Sequence, residues 1–161
     1  MQVDLIPTLI DMYRETFEGK VKPDVSWIVS GPAGDSVLGS LAGLNADEAY
    51  AAQSPGRKSI AAHVAHLKFT LELTLKRLHG ENPPADWPSS FNVGEPSPAA
   101  WEQLQKALRK AYDAVLAFFD QQRDQPVSAW QPIHVVGLSA MIGHNAYHLG
   151  AIRQLILDVR S

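Results

Sequence analysis

Apolar residues recur every three to four positions along four long stretches of the chain, and no stretch alternates apolar and polar residues between hairpin turns. The pattern predicts an all-α fold. The first stretch runs from about Val3 to Phe17 and sets Leu5, Leu9, Met12, Tyr13 and Thr16 on one stripe, with Gly19 as its stop signal. The second runs from Ser59, a helix cap, to Leu78, with Ile60, Val64, Leu67, Leu71, Leu75 and Leu78 forming a continuous face that ends at Gly80. Ser97 followed by Pro98 marks the start of the third, which carries Trp101, Leu104, Leu108, Tyr112, Val115 and Phe119 inward. The fourth starts at Pro132 and extends to about Val159.

Four such helices in 161 residues predict one domain, 1–161, built as a four-helix bundle in which each stripe faces the other three. The connections are unequal. Residues 20–58 make too long a link for an idle loop, so they are expected to contain short helices, and Asn45 with Glu48 three positions later reads as a capping box that starts one. Residues 81–96 hold four prolines and read as loop, with Trp87 and Phe91 as its anchors on the bundle. Two long crossovers suit a bundle that is not simply up-down-up-down.

Composition narrows the chemistry. With 45% hydrophobic and 19% charged residues the chain has the balance of one that folds around a core. Its formal charge of −3, from 14 basic and 17 acidic residues, offers no basic patch for a nucleic acid. No apolar run reaches the length of a membrane helix, and the N-terminal stretch has acidic residues among its apolar ones, unlike a signal peptide, so a cytoplasmic protein with neither a nucleic-acid nor a membrane partner is expected. Cysteine is absent, which excludes disulfides, thiolate nucleophiles and Cys-ligated metals. A metal here must be held by His, Asp or Glu.

Six histidines are present, and their placement matters more than their number. Met141, His144, His148, Ile152 and Leu155 fall at three- to four-residue spacing on the last helix, so both imidazoles share a stripe with large apolar residues and point inward. On the second helix, periodicity puts His66 beside the apolar face and His63 between it and the core centre. Two imidazoles one turn apart, about 6 Å, can lean toward one cation, and a third from a facing helix completes three ligands. A three-ligand site leaves a position open for water or substrate, as catalytic sites do. An isolated pair at this spacing arises readily by chance, and a single His on an apolar face is more often a hydrogen-bonded core residue; two such stripes are harder to explain by packing alone.

Further residues tie the chain to a family. The segment Gly143-His144-Asn145-Ala146-Tyr147-His148-Leu149-Gly150-Ala151-Ile152 follows the HxxxHxGxI pattern of the DinB/YfiT-like superfamily, and Ser59-Ile60-Ala61-Ala62-His63-Val64-Ala65-His66-Leu67 resembles its other signature. Weaker matches are Gly43 to Ala49, Asp86-Trp87 and Trp101, so the resemblance spans nearly the whole chain. It implies a bundle holding a divalent metal, zinc or nickel foremost, through one His of the second long helix and two of the last: His66, His144 and His148. The family's spacing from Ser59 favours His66 over His63 as the ligand and leaves His63 as a pocket residue and the nearest candidate for proton transfer. Family likeness further implies a homodimer and one of two activities at the open site. One is a transfer or isomerisation using a low-molecular-weight thiol such as bacillithiol or mycothiol, with a small-molecule substrate; the other is metal-dependent hydrolysis. A non-catalytic metal-binding or stress-associated module of the same fold is the alternative. Neither His motif contains a carboxylate in the manner of HExxH, which disfavours a protease-like hydrolase.

The remaining candidates read as structural. His134, in the first turn after Pro132, is expected to be solvated or capping, and His79 beside Gly80 to complement a helix dipole. Trp27, Trp87 and Trp130 pin connections to the core or line a pocket, Tyr147 faces away from both neighbouring histidines, and Arg153 is solvated or pairs with Asp158.

Overall fold

Four helix starts in this chain are written as side-chain caps, and the computed structural model, which describes residues 4–22, 24–29, 33–52 and 54–161, has these four in place. Ser36, Ser59 and Ser97 accept from the backbone N–H three residues on, at 3.2, 3.2 and 3.1 Å. Asn45 and Glu48 exchange both bonds of a capping box, each 2.9 Å. Each cap satisfies an otherwise orphaned donor and is worth about 1 kcal/mol. The resulting helices are α1 (Leu5–Glu18), α2 (Val37–Leu41), α3 (Ala46–Tyr50), α4 (Ile60–Leu78), α5 (Pro98–Asp120) and α6 (Pro132–Val159). The first helical positions of α5 and α6 are prolines, and α1 and α4 stop at glycines with φ of 90° and 85°, a left-handed conformation that a side chain would strain.

The four long helices enclose the core: α4 lies against α5 and α6, and α1 against α6 and α5. Tyr13, Phe17 and Tyr112 interlock at the α1–α5 contact, with Phe17 and Tyr112 stacked at 4.5 Å. Of the stripe expected on α1, Tyr13 and Thr16 are fully buried, but Leu9 and Met12 are only half-buried and Leu5 is 45% exposed; Ile6, Ile10 and Phe17 take the innermost places beside Tyr13. Both sets of residues have helical spacing, and the choice between them falls to the cover provided by α2, α5 and α6. Val3, proposed as the start of this helix, lies outside the described residues.

The long 20–58 connection contains α2 and α3, as its length demanded. It is tied down by Glu15, a buried carboxylate that receives the backbone N–H groups of Trp27, Ile28 and Val29 at 2.9 to 3.0 Å and has the Ser26 hydroxyl at 2.7 Å. Burial alone would raise the pKa of Glu15, but these bonds outweigh it and hold the value below normal. Trp27 itself is exposed, whereas Trp130 is buried and stacked on Phe119. Arg153 does not pair with Asp158; it bridges to Asp35 at 3.2 Å, and Asp158 takes Arg57 at 2.7 Å, since five residues along a helix do not share a face. None of the described helices is long and apolar enough to cross a membrane.

Candidate metal centre

The histidines of α4 and α6 meet where these two helices touch. Ser59 sets the start of α4, so His63 and His66 emerge in its first two turns, and the uninterrupted α6 brings His144 and His148 onto one side of its middle. His66, His144 and His148 each offer one ring nitrogen to a group whose members all lie within 4.8 Å of one another. Their ring centroids are 4.5 to 5.1 Å apart. His66 and His148 are 7% and 4% exposed, and His144 is half-buried.

Hydrogen bonds fix the rings. Ser90 donates its hydroxyl proton to the Trp87 carbonyl at 2.6 Å, so it can only accept from Nδ1–H of His66, also at 2.6 Å. That tautomer leaves a lone pair on Nε2 of His66, the atom that faces Nε2 of His144 at 3.0 Å. Nδ1 of His144 is buried with no partner. On the other side, Nδ1 of His63 meets Nδ1 of His148 at 2.8 Å. Whichever of the two carries the proton, His63 fixes the ring of His148 from outside the group of three.

Phe91 stacks on His66 at 4.0 Å and 7°, and Trp87 and Phe69 continue the apolar wall. This burial lowers the pKa of all four histidines. His66 falls to about 4 and His148 to about 3, by desolvation first and then by repulsion from the neighbouring imidazoles. For His63, desolvation is joined by the charges of Arg57 and Lys58. The rings are therefore neutral at pH 7, the form in which imidazole binds a metal.

The donor set fits a divalent ion. An ion about 2.0–2.1 Å from each nitrogen in tetrahedral geometry requires ligand nitrogens about 3.3 Å apart. The His66–His144 pair stands at 3.0 Å, and the widest separation permitted within the group, 4.8 Å, exceeds the requirement by about 1.5 Å. Nδ1 of His144 is left without a hydrogen-bond partner, whereas polar groups buried as core packing are ordinarily paired.

A family comparison agrees with this geometry. The model of the DinB superfamily matches residues 33–152, about three quarters of the chain. The chain belongs to the DinB superfamily. No curated protein and no solved structure matches it. Membership accords with the all-α fold and, together with the three clustered imidazoles, is compatible with metal binding in this DinB protein.

Of the residues singled out in the sequence, His66, His144 and His148 are brought together, and His63 stands beside them as a hydrogen-bond partner. His79 and His134 are elsewhere, each edge-on to Phe118. Periodicity misjudged the pair on α4, because His66 is buried while His63 is only half-buried. The reason is the 81–97 connection, whose 3-10 turn Ser89–Phe91 covers the His66 side of the helix. Ser90 went unnoticed: a serine in a proline-rich loop carries no local sign that it will meet a histidine 24 residues away.

Proposed function

We propose that this DinB protein is a metal-dependent enzyme in which His66, His144 and His148 hold one divalent ion, zinc or nickel, with a coordination position left for substrate. The observation that supports this reading most strongly is the group of three neutral, desolvated imidazoles from two helices with ring nitrogens within 4.8 Å. Bound there with no carboxylate to offset its charge, the ion would act as a Lewis acid and lower the pKa of a water or thiol brought to it. Ser90 holds His66 in the tautomer that presents Nε2, and His63 orients His148, as hydrogen-bond partners of metal-binding histidines do. Phe91 and Trp87 keep water off His66. A cysteine-free chain suits a reaction in which a low-molecular-weight thiol arrives from outside, and this thiol-dependent transfer is the activity we favour; hydrolysis uses the same position.

Titration of purified protein with zinc or nickel tests the site: one ion per chain is expected, and no binding by the wild type overturns the reading. Turnover is tested by a panel of low-molecular-weight thiols with electrophiles, beside ester and amide substrates. Activity lost to a chelator and restored by the ion supports the enzyme. An ion bound with no turnover across the panel favours the non-catalytic metal-binding module instead.

A further inference from the structure

The histidine group is the end of something longer. A groove of about 310 Å3 runs between α4 and α6 from His144 to the C-terminal end of α4, a volume at the small end of ligand pockets. Leu73, Leu78, Trp87, Ile133 and Met141 make its walls mainly apolar. Its ionisable groups sit at the ends. His144 closes one, and Arg77 with His134 occupies the other. The two helices run antiparallel here, so the ten residues from His134 to His144 separate the ends by about 15 Å.

The far end carries an exposed cation with no protein counter-charge among the described residues. Arg77 forms no ion pair among the described residues, although every other arginine of the chain does. Nδ1 of His134 is buried without a partner. A guanidinium with no carboxylate beside an apolar channel is charge-complementary to an anion. A second depression of about 460 Å3, near the end of α6, lacks this property, because its Arg153 and Arg160 already pair with Asp35 and Glu48.

We propose that this groove binds the organic body of a small amphipathic substrate, an apolar chain or ring with an anionic group, carboxylate or sulfonate, held at Arg77 and His134 while its other end lies at His144. The inference rests on the reading of the histidine group as the reacting centre, and it assigns to that centre a substrate class: apolar in the middle, anionic about 15 Å from the reacting end. Apolar walls supply affinity in proportion to buried area, and the single cation selects the head group.

Calorimetric titration with octanoate, octanol and octylamine, which share a chain and differ in head group, tests it. Octanoate is expected to bind about tenfold or more tightly than the other two, and R77Q to abolish that preference. Gly137 lines the groove and has open space for a side chain, so Gly137→Leu should block all three probes; Thr74→Trp serves as a second obstruction should the first fail to fold. Zinc affinity, measured separately, should stay within about twofold in all three variants, since none replaces a clustered histidine. Equal binding of octanol and octanoate, or octanoate binding that survives both obstructions, overturns the proposal. Loss of zinc binding by the wild type with the octanoate results intact would sink the metal reading and leave the groove assignment standing. Normal zinc binding with no head-group preference would do the reverse.

Discussion

Two buried polar clusters of this molecule can be compared directly, and they differ in whether their hydrogen bonds are met. Around Glu15, the backbone N–H groups of Trp27, Ile28 and Val29 and the Ser26 hydroxyl converge on one carboxylate oxygen, and against the cost of burial these bonds hold the pKa below normal. Around His66, His144 and His148, burial is answered only by one serine and by other imidazoles, and one ring nitrogen has no partner at all. The first cluster stabilises the fold by closing residues 26–29 onto α1. The second is an expense that the fold carries, of the kind that gathers at functional sites. The contrast separates a polar group whose bonds are met within the fold from one whose bonds are not.

Removal of the central group should have opposite consequences in the two clusters. Glu15→Ala strands three backbone donors and is expected to cost about 3–5 kcal/mol, read as a drop in the urea midpoint; a loss under about 1 kcal/mol would show that the cage is not holding the connection. His144→Ala should leave the metal-free protein as stable as before or more so, while zinc affinity falls by about 100-fold or more. A His144→Ala variant that loses several kcal/mol of stability yet binds zinc normally would reverse the assignment of the two clusters.

Smaller effects sharpen the difference. Ser90→Ala frees the tautomer of His66 and should weaken zinc binding by about 10- to 100-fold with little change in the fold, which competition against a chromophoric chelator would measure. Acid separates the clusters by window. His66 and His148 have pKa values of about 4 and about 3, below the unfolded value of about 6.5, so the unfolded chain binds more protons between these limits. Stability of the metal-free protein is therefore full above about pH 6.5 and declines as pH falls below it. The lowered carboxylate of Glu15 also loses its contribution in acid, but only below its unfolded value of about 4.3. His144→Ala relieves part of the repulsion on His66 and His148 and should flatten the upper window alone. Saturating zinc should raise the melting temperature at pH 7, by linkage to the native state.

Much of this was legible in the chain. Ser59, Ser97 and the Asn45–Glu48 box fixed where helices begin, because a cap acts on backbone groups two or three residues away. The same locality put His144 and His148 on one side of α6, a turn apart. Helical periodicity failed in two places for a shared reason: it reports which face of a helix is apolar, not what will cover it. On α1 the expected Tyr13 and Thr16 are inside, but Ile6, Ile10 and Phe17 replace Leu5, Leu9 and Met12 there because neighbouring helices lie on that side. On α4 the side bearing His66 is covered by a loop, with Phe91 stacked on the ring.

What the sequence by itself determined is thus the set of helices, their ends and the shared face of two histidines, all products of interactions spanning a few residues. Tertiary structure alone decided that His66 is buried while His63 stays half-buried beside the group, that Ser90 sets the His66 tautomer, and that Arg77 ends a groove beginning at His144. Those outcomes depend on how helices and the 81–97 connection pack in three dimensions, and a single sequence read in windows holds no record of that packing.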